Sequence, residues 1–91
     1  MARRTTPFMT FAVHPASPGH LDALARVEPP GANPIVRLLD SSGDTEHAVS
    51  IPEGGTARLS HDVAPRAYLG QLFVDVEGVR QVTLTVNITY P

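Results

Sequence analysis

The chain has no cysteine among its 91 residues, which excludes a disulfide framework and any thiolate metal site. Charge is also sparse: 18% of residues are charged and the net charge is −2. No basic field exists to hold phosphates, so nucleic-acid binding is not expected as the main task. Arg3 and Arg4 form the one local positive spot and read as a solvated terminus. No apolar run is long enough to span a bilayer. The stretch "FMTFAV" has about half the length of a secretory-signal core and no small-residue cleavage site after it. "ARR" does not act as a twin-arginine export signal in that setting. The expectation is a chain that stays where it is made, in a virion or the cytoplasm, or one cut from a longer secreted protein. The Met1 start favours a complete small gene product.

What is present is 42% hydrophobic residues, a globular composition. A chain of this size buries roughly 60–65% of its unfolded surface, enough for one modest core. Nine prolines and seven glycines cut the sequence into short pieces, which suits strands better than helices. No internal repeat or low-complexity segment appears. We therefore expect an N-terminal arm over 1–7 and one domain over 8–91.

Side-chain alternation defines the pieces. "VTLTVNITY" places Val82, Leu84, Val86, Ile88 and Tyr90 on one face and Thr83, Thr85, Asn87 and Thr89 on the other. "PFMTFAVH" reads as a strand carrying Phe8, Met9, Phe11 and Val13. "HLDALARVE" alternates as a strand through Leu21, Ala23, Ala25 and Val27, yet Leu21, Leu24 and Ala25 also fit a helical face. Ser17-Pro18 would start such a helix, so a short helix near 18–27 stands as the alternative. "IVRLLD" and "TEHAVSI" form a hairpin around a four-residue loop, Ser41 to Asp44, with Val36 and Leu38 facing His47, Val49 and Ile51. "PEGG" is a turn, and "TARLSH" a strand with Ala57 and Leu59 inward. In "AYLGQLFVDV" the inward set is Tyr68, Gly70, Leu72, Val74 and Val76, with Gly70 leaving room for a bulky neighbour or marking a bulge. Pairing this strand with the last one sets Val74 against Val82, Leu72 against Leu84 and Tyr68 against Ile88, through a Glu77-Gly78-Val79 loop. The whole reads as an all-β, small antiparallel sandwich or barrel of six or seven short strands.

Chemistry-bearing patterns are few. "DSSGDTE" supplies oxygens at Asp40, Ser42 and Asp44, the candidate calcium ligands, with Glu46 beyond them. The same residues are those of an ordinary tight turn. His14, His20, His47 and His61 lack the spacing of zinc ligands. "SHD" at 60–62 suggests a triad, but strand neighbours point to opposite faces, so Ser60 and His61 do not pair. Asp75 and Glu77 share a face beside a turn and read as wetting charges. "NIT" at 87–89 matches a glycosylation acceptor and falls inside a strand. A single threonine-bearing strand is too narrow for ice binding. Neither catalysis nor a cofactor is expected.

The apolar residues left over carry more. Ile35, Leu39, Leu69 and Phe73 lie opposite the inward sets, which suggests a second surface covered by another chain. With Phe8 and Phe11 on the arm side, these are the candidate partner-binding residues. Extended segments such as "ARRTTPFMTF" add strands to a partner's sheet edge by main-chain hydrogen bonds.

"VRLLDSSGD", and "AYLGQLFVDVEG" followed by "VTLTVNITY", resemble the bacterial pre-peptidase C-terminal type of β-sandwich over residues 34–91. That family has a strand running into an aspartate-and-glycine turn, then a tyrosine-bearing strand and a closing strand. Here "PRA" replaces its glycine before the tyrosine strand, and its aspartate-tryptophan start has no counterpart. The resemblance implies a β-sandwich fold, calcium binding and association with secreted proteases. Taken together, the residues favour a non-catalytic module docking on protein partners as a homo-oligomer or in a larger assembly, such as a decoration protein of a phage capsid. The alternative is an accessory domain of a secreted hydrolase binding calcium or glycan.

Overall fold

The computed structural model describes residues 6–29 and 33–91. Of the expected arm only Thr6 and Pro7 fall within this range. The described residues form eight strands: β1 (Met9–Val13), β2 (Gly19–Glu28), β3 (Ile35–Asp40), β4 (Glu46–Val49), β5 (Ile51–Pro52), β6 (Thr56–Val63), β7 (Tyr68–Phe73) and β8 (Gln81–Thr89). They make two antiparallel four-stranded sheets, β1-β7-β3-β4 and β5-β6-β2-β8, packed as a β-sandwich. The region 18–27 is strand, not helix. Leu21, Ala23, Ala25 and Val27 are all buried while Asp22, Arg26 and Glu28 are exposed. That strict period of two is incompatible with a helical face.

The core lies between the sheets. Leu21, Ala23, Ala25, Ala57 and Leu59 from one meet Val36, Leu38, Tyr68 and Leu72 from the other. Small residues on the central β2 are matched by leucine, valine and tyrosine from the other sheet, the large-against-small filling by which sandwich cores interdigitate. Gly70 is inward and buried, and the bulky neighbour is its cross-strand partner Phe11.

The chain changes sheet five times, and the connections are built locally. At Ser50, between β4 and β5, the backbone amide donates to the Val36 carbonyl at 2.8 Å while the Val36 amide donates to Ser50 Oγ at 3.0 Å. After β5, Gly54 and Gly55 both adopt positive φ, 55° and 83°, as a two-residue hairpin turn of the primed type demands. Between β6 and β7 the buried Tyr68 hydroxyl accepts the Ala64 amide at 2.9 Å and ties down the corner.

Two expected pairings are overturned. β7 and β8 do not form a hairpin: β7 pairs with β1 and β3, and β8 pairs with β2. Leu72 lies opposite Met9 and Val36, and Leu84 opposite Ala25. Alternation assigns a residue to a face, but both inward faces of a sandwich look at the same core, so the pattern suits either sheet. The Val76–Val79 turn, closed by the Val79 amide on the Val76 carbonyl at 3.0 Å, serves a crossover, and Val76 is exposed. In the β3–β4 hairpin Leu38 pairs with Ala48 rather than His47, because His47 is the extra residue of a bulge. The loop is as expected, with the Asp40 amide donating to the Thr45 carbonyl at 2.9 Å. Beyond the bulge Val49 and Ile51 are exposed rather than inward.

Candidate functional site

The outer face of the β5-β6-β2-β8 sheet gathers the densest polar cluster. Burial of Leu21 and Ala23 turns His20 and Asp22 outward on β2, and burial of Leu59 does the same for Ser60 and Asp62 on β6. Antiparallel register sets His20 opposite Asp62 and Asp22 opposite Ser60. His20 Nδ1 stands 2.8 Å from Asp62 Oδ1, and His20 Nε2 stands 2.6 Å from Ser60 Oγ. Ser60 Oγ in turn lies 3.0 Å from Asp22 Oδ1. The "SHD" reading was right that Ser60 and His61 part, and it missed the histidine across the ladder. Outward parity on β2 and β6 was the signal; their pairing was not visible.

Proton counting selects the state of this chain of contacts. With His20 as imidazolium, both ring nitrogens donate, and Ser60 accepts one hydrogen bond while its hydroxyl donates another to Asp22. The hydrogen bond to Asp62, with the charges of Asp22 and Asp62 adding to it against desolvation, raises the His20 pKa above its ordinary value. The Asp62–His20–Ser60 order is that of a hydrolytic triad, but a triad also needs amides aimed at the developing oxyanion. On a sheet face the backbone N–H groups lie in the plane of the ladder and point along it. Below its raised pKa, His20 is an imidazolium placed between the carboxylates of Asp22 and Asp62. Beside it a groove of about 480 Å³ runs past Pro18, Gly19, Val63, Thr89 and Pro91. A second concavity of about 280 Å³ is lined by Asp22, Leu24, Arg58, Thr85 and Asn87.

The Asp40–Thr45 loop is organised by one oxygen. Asp40 Oδ1 accepts from Ser42 Oγ at 2.8 Å and from the amides of Gly43, Asp44 and Thr45 at 3.0, 3.1 and 3.3 Å. Gly43 takes φ 82°, which lets three successive amides converge. The Ser42 hydroxyl, followed by the Thr45, Asp44 and Gly43 amides, holds the Asp40 carboxyl below its usual value against desolvation. Of the three candidate calcium ligands, Asp40 and Ser42 thus spend oxygens on the turn itself. Among the described residues no group of three or more His, Asp or Glu side chains converges on a cation position.

The candidate partner-binding residues separate into two groups. Leu39 is buried, 4% exposed, and Phe11 packs against the core, so these two serve the fold. Ile35, 46% exposed, and the half-buried Phe73 are direct cross-strand partners. Phe8, 48% exposed, precedes β1; its amide donates to the Leu72 carbonyl at 2.8 Å, and it lines a concavity with Met9, Val76, Val79 and Val82 rather than the Ile35–Phe73 patch. Leu69 is half-buried opposite Ala12 and Leu39. The Arg37 guanidinium lies 5.8 Å from the Phe73 ring centroid and its Nε 2.6 Å from Glu46 Oε2.

His47 and His61 also meet, at the core margin, with ring centroids 6.4 Å apart. His47 packs edge-on against Tyr68 at 5.4 Å, and its buried Nε2 has no hydrogen-bond partner among the described residues. Comparison of the chain with protein-family models, curated proteins and solved structures returns no match.

Proposed function

We propose that the protein is a non-catalytic structural module that docks on other protein chains through the outer face of the β1-β7-β3-β4 sheet. Its most concrete form is a small accessory protein decorating a larger particle such as a phage capsid. One observation carries this reading: Ile35 and Phe73 are direct cross-strand partners on the adjacent strands β3 and β7, one exposed and the other half-buried. Scattered surface apolar groups are ordinary, whereas large ones on adjacent strands form a continuous patch. Aromatic residues and arginine are the types enriched at interface centres, and Arg37 stacks over Phe73 within this patch. Sedimentation of an extract from the native source tests it. The wild-type chain is expected to travel with a large assembly, and Ile35→Asp or Phe73→Asp to leave it behind. Wild-type protein sedimenting alone at 9.7 kDa ends the reading.

A second reading, an accessory domain of a secreted hydrolase binding calcium or glycan, draws on the concavity between Asp22, Leu24, Arg58, Thr85 and Asn87. Donors and acceptors beside an apolar floor are the chemistry that sugar hydroxyls meet. Calorimetry with calcium and with oligosaccharides tests it. Absence of both binding heat and any rise in melting temperature removes this alternative.

A further inference from the structure

We infer that β8 is a self-pairing edge: two copies of this chain join β8 to β8 in antiparallel register about Thr85, making one continuous sheet across a two-fold axis. Among the described residues β8 pairs with β2 alone, so nine residues leave one row of backbone donors and acceptors open. Such rows template pairing, and edge strands in monomers are blunted by lysine, inward charge, proline or a bulge. β8 has none of these. Its nine residues are uncharged, its register with β2 runs from Gln81 to Thr89 without a shift, and the whole chain lacks lysine. The inward residues Val82, Leu84, Val86 and Ile88 are only half-buried, so the flank of the core is open along the same edge.

The second copy is singled out by charge and pattern. Centring on Thr85 gives full nine-residue overlap, with Leu84 opposite Val86, Val82 opposite Ile88 and Thr83 opposite Asn87. Apolar meets apolar and polar meets polar, as cross-strand stabilisation requires. The nearest charge, Arg80, falls beside the exposed Tyr90 of the other copy rather than beside a like charge. Size sets the strength. Nine residues at about 3.4 Å each give an edge of about 30 Å. With the 17 Å thickness of the molecule, that edge offers about 500 Å² per copy, or about 1,000 Å² for the pair. This sits at the lower limit of specific interfaces, so pairing is weak.

Sedimentation equilibrium from about 5 to 500 µM reads the result. The average mass is expected to climb from 9.7 kDa toward twice that value. Thr85→Lys and Thr85→Glu change an exposed residue and should leave the melting temperature unmoved, yet each puts like charges face to face on the axis. Each variant alone is expected to pair at least tenfold more weakly, and an equimolar mixture of the two to recover the paired mass. A wild-type chain that stays single at the highest concentration overturns the inference. So does Thr85→Lys pairing as wild type does, or a mixture no heavier than its components. The Phe73→Asp chain lies on the opposite sheet and should pair normally, which separates failure here from failure of the docking function.

Discussion

The ring of Phe11 lies over Gly70, its cross-strand partner, and fills the space that a side chain at position 70 would need. The two residues act as one packing unit. Gly70→Ala is expected to cost about 1–3 kcal/mol through overpacking. Phe11→Ala removes the obstruction, so the double variant should be more stable than the sum of the two single losses indicates. The coupling, on the order of 0.5–3 kcal/mol, is read from urea unfolding midpoints in a double-mutant cycle. Strict additivity would show that the ring does not rest on the glycine.

Leu38 and Leu72 are fully buried on the same sheet, whereas Thr85 is exposed on the other. Leu38→Ala or Leu72→Ala should each cost about 2–5 kcal/mol. Against a total stability of roughly 5–15 kcal/mol, either change takes a large share. Thr85→Ala should stay within about 0.5 kcal/mol. Denaturant midpoints check the contrast, and equal losses at positions 72 and 85 would break the assignment of faces.

The His20 pKa is raised in the folded protein above the unfolded value of 6.5, chiefly by the Asp62 hydrogen bond. The stabilisation it contributes is therefore fully present below pH 6.5 and is lost as pH rises through the folded pKa. Asp62→Asn should lower the His20 titration midpoint followed by NMR and flatten the stability profile in that window. An unchanged His20 titration in Asp62→Asn would show that another group holds the proton. Because the cluster is open to solvent, added salt should weaken its charge contribution.

Asp40 has the opposite sign. Its folded pKa lies below the unfolded 3.8, so its contribution is present above that value and disappears as pH falls through the folded pKa. Asp40→Ala removes the acceptor for Ser42 Oγ and three amides, and should loosen the 41–45 loop, seen as faster amide exchange at Gly43 and Asp44. Asp40→Asn keeps an oxygen in place and should restore most of the protection while flattening the acid limb. Equal exchange rates in all three chains would show that the loop does not depend on this side chain.

The Ser60-His61-Asp62 triplet shows how far the sequence reaches. Alternation alone separates Ser60 from His61 and puts Ser60 and Asp62 on one outer face, because strand side chains have a local period of two. Nothing in that triplet points to His20, some forty residues earlier, since the contact exists only through the β2–β6 register. Leu39 is a complementary case. Its parity is outward, yet it is buried, beside the β3–β4 bulge and opposite Leu69.

The amino-acid sequence by itself determined the all-β class, the faces of β6, β7 and β8, and the four-residue Ser41–Asp44 loop. All of these follow from steric and solvation preferences acting within a few residues. Only the tertiary structure decided which sheet each strand joined: that β7 and β8, adjacent in the chain, belong to opposite layers, and that His20 meets Asp62. Strand partnership is settled by closing one core around all the strands at once, and inward residues of equal hydrophobicity satisfy that core from either side.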